Sequence, residues 1–105
     1  MQELFQSIKN TISYIHHNDN NSIHIGYGID DNYARCAGTS IASFCINNPT
    51  KSLVFHIITS GLAPNNLEKY SILSKKYSIN ILIVLVHFLL YKLINIVPIL
   101  IEILK

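Results

Sequence analysis

Hydrophobic positions along the 105-residue chain fall into blocks of different spacing. Leu4, Phe5, Ile8, Ile12 and Ile15 recur mostly at three and four, which predicts an amphipathic helix over residues 2–15. The run His17, Asn18, Asp19, Asn20, Asn21 and Ser22 has no apolar member and is made of turn formers, so it ends that helix and serves as a linker. Ile23 to Tyr27 predicts a strand. From Ala34 to Asn47, Cys36, Ala37, Ser40, Ile41, Phe44 and Cys45 recur at helical spacing with small residues between them, and Asn48 and Pro49 punctuate the end. Leu53 to Ile58 is near-continuously apolar, the pattern of a buried strand. Pro64 suits a first helical turn, Leu67, Tyr70, Leu73 and Tyr77 form the next stripe, and Ser78 closes it. Ile79 to Val86 is a third β-branched run. The order helix, strand, helix, strand, helix, strand predicts an α/β fold: a partial Rossmann-like, parallel βαβαβ sheet with flanking helices.

The chain then changes character. Ile79 to Lys105 holds 20 apolar side chains and one acid, Glu102, so an apolar C-terminal segment follows the sheet. As a helix, residues 81–101 would be about 31 Å long, enough to cross a hydrocarbon core. Their aliphatic and Phe side chains favour insertion by roughly 7 kcal/mol, Lys92 costs about 3, and His87, Asn95 and Pro98 subtract more, so insertion is near balance. A membrane span, a buried strand followed by an apolar helix, and a poorly folding tail all stay open. Three regions result: residues 1–21, an N-terminal amphipathic helix and linker that is packing surface or a membrane contact; residues 22–86, the βαβαβ unit; and residues 87–105, the apolar tail, frameshifted or membrane-associated.

Composition narrows the function classes. With 50% hydrophobic and 13% charged residues the chain is not a disordered one, and its length allows one domain, which excludes a two-domain enzyme. A net charge of +2 is too small for the basic surface that nucleic acid requires, so no nucleic-acid partner is expected. The abundance of Ile and Asn reads as the product of an AT-rich gene. Cys36 and Cys45 stand half a turn out of phase and about 13.5 Å apart on one helix, too far to pair, so buried free thiols are expected. With no basic-then-apolar leader, the chain reads as a reduced, intracellular product. His16 and His17 diverge on a helix, His24 and His56 lie on different strands and His87 stands alone, which argues against a histidine metal site.

Candidate chemistry concentrates in Tyr27 to Ala34, YGIDDNYA, at the carboxyl end of the first predicted strand, where open α/β sheets bind ligands. Gly26 and Gly28 form G-x-G without the third glycine of a dinucleotide fingerprint, and no phosphate-loop Lys follows. The loop offers instead a glycine that admits a ligand to the backbone, two carboxylates, an amide and an aromatic ring. That set suits a flat base with an imide edge such as uracil. Asp30 could accept the imide N–H, Asn32 could donate to a carbonyl, and Tyr33 could stack for about 1 to 3 kcal/mol. The competing reading is a turn that caps the next helix, with Asp31 or Asn32 as N-cap.

YGIDDNYA, the following TSIASFCINNP and the strand FHIITSG, in this order and spacing, resemble the N-terminal part of glycosyltransferase family 8, particularly the bacterial lipopolysaccharide glucosyl- and galactosyltransferases. The likeness covers about residues 22–80. It implies a GT-A type fold, a UDP-glucose or UDP-galactose donor, retention at the anomeric carbon and a lipopolysaccharide core acceptor. It also implies a place in the cytoplasm, peripheral at the inner membrane. Carried over by position, Asp30, Asn32 and Tyr33 correspond to uracil-binding residues, Gly28 lines the base and Asp31 lies nearby. Family members hold magnesium or manganese through a later D-x-D motif. This chain has none: after Asp31 its only acids are Glu68 and Glu102, so metal ligands and catalytic residues are absent. Thr59 and Ser60 also stand where relatives commonly carry Asp. The expectation is an N-terminal fragment of a transferase, cut short by a stop or a frameshift near residues 79–86 and inactive alone. The alternative is a small membrane-associated, non-enzymatic protein with an apolar C-terminal helix.

Overall fold

The computed structural model describes residues 8–87. It contains β1 (Ile8–Tyr14), β2 (Ile23–Gly28), a 3₁₀ turn (Asp31–Tyr33), α1 (Ala34–Asn47), β3 (Leu53–Thr59), α2 (Pro64–Tyr77) and β4 (Asn80–Val86). The four strands form one sheet in the order β1-β4-β3-β2. The three strands of the predicted βαβαβ unit are parallel: Ile23 pairs with Leu53 at the start of β2, and Val54 with Asn80 at the start of β4.

The N-terminal helix is corrected. Residues 8–14 form a strand that pairs antiparallel to β4, from Ile8 opposite Val86 to Tyr14 opposite Ile81. The helical stripe at 8, 12 and 15 coexists with a period of two, in which Ile12 and Tyr14 pack toward the core while Thr11 and Ser13 stay exposed. Without β1, β4 would leave a row of backbone donors and acceptors unpaired, and pairing with it outweighs the weak helix preference of a segment rich in β-branched residues. Residues 2–7 of the expected helix lie outside the described residues.

The linker after β1 is a crossover rather than a simple turn. It leaves one edge strand, passes the amino ends of β4 and β3, and enters β2 at the other edge. Asn80, buried at the start of β4, anchors it: its Oδ1 accepts from the His16 and His17 N–H groups at 2.7 and 3.2 Å, and its Nδ2 donates to the His17 carbonyl at 3.0 Å. His17 Nδ1 accepts from the Asp19 N–H, so Nε2 carries the proton and donates to the Leu53 carbonyl at 3.0 Å. Asp19 receives the Ser52 hydroxyl at 2.6 Å, and that bond, with one from the Asn21 N–H, holds its carboxyl below the usual value.

The core lies between the sheet and the two helices. Leu53, Phe55, Ile57, Ile81 and Ile83 meet Ala34, Ala37, Ile41 and Cys45 of α1 and Tyr70 of α2, all buried. Both helices begin and end where the sequence predicts. Ser78 takes the left-handed conformation (φ 54°) that stops α2, and its N–H closes the last turn on the Lys75 and Ser74 carbonyls. Because β4 extends to Val86, a continuous helix over residues 81–101 does not form; the rest of that span and of the tail lies outside the described residues. Among the described residues no helix is long and apolar enough to cross a membrane. Cys45 is buried as expected, whereas Cys36 is exposed; both are free thiols.

Candidate functional site

The carboxyl ends of β2 and β3 shape the candidate site. The Ile29 N–H donates to the Ile58 carbonyl at 3.0 Å, carrying the ladder one residue past β2. Asp30 then leaves the sheet in an extended conformation and caps the 3₁₀ turn, its Oδ1 accepting from the Tyr33 N–H at 3.2 Å. Asp30 caps this turn, and α1 behind it has Tyr33 as its N-cap with no side-chain cap, so neither Asp31 nor Asn32 caps the helix: both lie within the 3₁₀ turn that precedes it. The Tyr33 N–H is shared between this carboxylate and the Asp30 carbonyl, also at 3.2 Å, so a short acidic side chain suits the place by adding a second acceptor to the donor that closes the turn.

Beside this turn lies an open cleft of about 470 Å³, lined by Tyr27, Gly28, Ile29, Tyr33, Cys36, Ala37 and Ser40. The Tyr27 hydroxyl meets Ser40 Oγ at 2.7 Å. Burial pushes the Tyr27 pKa up, opposed by that hydrogen bond. Tyr27 also lies over the buried Phe55, with ring centroids 6.3 Å apart, so a half-buried ring backed by a buried one supports the cleft from the sheet side. Of the residues singled out in the sequence, Gly28 and Tyr33 line the cleft. Tyr33 is 60% exposed, with its ring open to a flat ligand. Asp30 and the exposed Asn32 stand next to it in the chain but do not line it.

Asp31 turns elsewhere. Its Oδ1 accepts from the Ala63 N–H at 2.7 Å and from Asn66 Nδ2 at 2.9 Å, and these two bonds hold its carboxyl below the usual value of 3.8. Cys36, Ala37 and Ser40 were not singled out as site residues, although they follow Tyr33 at three, four and seven, one face of the helix. That spacing was the available signal. Thr59, at the end of β3, is buried and closes a local turn by donating to the Gly61 carbonyl and accepting the Gly61 N–H.

A family model described as Glycosyl transferase family 8 matches residues 24–92, more than half of the chain. The chain belongs to this family. The family 8 match contains all but the first residue of β2, the site turn, both helices, β3 and β4, and runs past residues 79–86. Among its relatives is the lipopolysaccharide 1,3-galactosyltransferase of Salmonella typhimurium (strain LT2), 35% identical over 74 residues, which are 70% of this chain and 22% of that protein. Another is the lipopolysaccharide 1,2-glucosyltransferase of Escherichia coli, 39% identical over 56 residues, 53% of this chain and 16% of that protein. The chain therefore spans about a fifth of the length of these relatives. No solved structure matches it significantly.

Among the described residues the donor groups do not fit the divalent metal that the family resemblance implies. No group of three or more His, Cys, Asp or Glu side chains converges among the described residues. Asp30 is occupied as a turn cap and Asp31 as a tie to α2. His24 and His56, on neighbouring strands, meet with Nδ1 and Nε2 2.8 Å apart and the rings stacked.

Proposed function

We propose that this chain is the nucleotide-recognition part of a UDP-sugar-dependent hexosyltransferase of the GT-A type that transfers glucose or galactose to the lipopolysaccharide core. The observation that carries this reading is an exposed aromatic ring, Tyr33, at the mouth of a 470 Å³ cleft at the carboxyl end of a parallel strand, inside the family 8 stretch. Tyr33 stacks on uracil, Asp30 accepts its imide N–H through the carboxylate oxygen that the turn leaves over, Asn32 donates to a carbonyl and Gly28 gives the base access to the backbone. Tyr27 and Ser40 close the cleft behind the base. The names of both relatives support a lipopolysaccharide acceptor in the longer proteins. Lacking a D-x-D motif, the chain binds UDP but does not transfer sugar, and it acts at the cytoplasmic side of the inner membrane.

Titration of the 105-residue chain with UDP, followed by amide NMR, tests this. UDP should shift the signals of Gly28 and of residues 30–33, and Tyr33→Ala should abolish the response while the spectrum stays folded. A folded wild-type chain that is silent to millimolar UDP would sink the reading.

A further inference from the structure

The site turn is held from outside itself. Asp31 sits in the first turn after β2, yet both donors to its Oδ1, the Ala63 N–H and Asn66 Nδ2, belong to the start of α2. That helix begins poorly equipped: its N-cap is Ala63, which has no side-chain acceptor, and Pro64 follows at the first helical position. In a capping box, an acidic side chain at the third helical position reaches back to accept the N–H of the N-cap residue. Here the third position is Asn66, whose amide donates, and Asp31 supplies the missing carboxylate from 35 residues upstream. One turn further along the same helix face, the buried Tyr70 hydroxyl donates to the Ala34 carbonyl. Two residues of α2 thus grip the segment at Asp31 and at Ala34. Between the grips lie Asn32 and Tyr33.

We infer that Asp31 is a positioning residue: it sets the placement of Asn32 and Tyr33 from α2 and does not itself touch the nucleotide. The inference rests on the nucleotide reading above for what the placement serves. It makes the connection between β3 and α2, which carries no recognition chemistry of its own, a determinant of uracil affinity. The second carboxylate of the D-D-N-Y sequence is then a strut. Its negative charge matters less than its accepting oxygen, and an amide at position 31 should do the same work.

The test is UDP titration of the full chain, observed by amide NMR, for the wild type, Asp31→Asn, Asp31→Ala and Asn66→Ala. The asparagine carbonyl can accept both hydrogen bonds without carrying charge. Asp31→Asn should therefore keep UDP affinity within about threefold, whereas Asp31→Ala should weaken it about tenfold, the scale of a lost charge-assisted hydrogen bond, and Asn66→Ala less. In ligand-free samples, Asp31→Ala and Asn66→Ala should both move the Tyr33 amide signal, and Asp31→Asn should leave it near its wild-type position. Equal loss in Asp31→Asn and Asp31→Ala overturns the inference, because the charge itself would then contact the ligand. An unmoved Tyr33 amide in folded Asp31→Ala or Asn66→Ala overturns it too. If Asp31→Ala does not fold, the Asn66→Ala and Asp31→Asn pair decides. If the wild type ignores UDP, the nucleotide reading fails, and the ligand-free Tyr33 comparison still decides whether the strut exists.

Discussion

The two strand-to-helix connections at the carboxyl edge of the sheet are built differently. The first, between β2 and α1, contains two carboxylates, an amide and an exposed aromatic ring, and it supplies its own cap through Asp30. The second, between β3 and α2, is Ser60, Gly61, Leu62 and Ala63, with a tight turn closed by Thr59 and no side-chain cap for its helix. It receives its carboxylate from the first, through Asp31. The first connection holds the polar and aromatic side chains, caps its own 3₁₀ turn and lends Asp31 to the start of α2, and the second gives it a backing. A binding loop anchored by its neighbour spends less ordering entropy when a ligand arrives, since the ligand meets groups already placed.

The largest break in this arrangement comes from below. Phe55 is fully buried in β3, between the ring of Tyr27 at 6.3 Å and that of Phe44 at 6.1 Å. Phe55→Ala should cost about 3 to 5 kcal/mol, loosening both connections at once, and urea denaturation should show the loss as a lower midpoint. A smaller effect should separate the two. Asp30→Ala removes the cap of the first connection only, for about 1 kcal/mol, and amide exchange should quicken in residues 31–36 while the start of α2 keeps its protection. Equal quickening at both would mean that the connections act as one unit.

The smallest effect concerns the tie at Tyr70. Tyr70→Phe should cost about 0.5 to 1.5 kcal/mol, the worth of one hydrogen bond, without changing the packing. The same hydroxyl gives the chain an alkaline limit. Burial, helped by the neighbouring Tyr27 and Asp31, pushes its pKa from 10.0 up to about 12. Its contribution is therefore complete below pH 10 and is lost as pH rises to 12, because there the unfolded chain gives up the proton and the folded one keeps it. Stability should fall across that window in the wild type, and less in Tyr70→Phe, as read by circular dichroism against tyrosinate absorbance.

Much of this was legible along the chain. The bounds of α1 and α2 match the hydrophobic stripes and their punctuation, and β2, β3 and β4 follow their β-branched runs to within a residue. The βαβ pattern puts a candidate ligand loop at the end of the first parallel strand, and Gly28 and Tyr33 of that loop line the cleft there. The first strand was misread, since Ile8, Ile12 and Ile15 satisfy a helix while Ile12 and Tyr14 also satisfy a strand, and nothing local chooses between the two periods. The role of Asp31 was illegible for a related reason. D-D-N-Y contains two equivalent carboxylates, and the fold sends one to its own turn and the other to a helix whose start lies more than 30 residues away.

What the sequence determined by itself was therefore the set of local decisions: where a helix runs, where it stops, which segments extend, and which loop carries polar and aromatic groups at a strand end. These depend on caps, turn formers and side-chain periods that act within about four residues. Only the tertiary structure decided the strand order, the pairing of β1 with β4, the path of the linker over Asn80 and the use of Asp31 as a strut. Each of those is a hydrogen bond or a packed face between residues far apart in the chain, and its partner exists only once the sheet has formed.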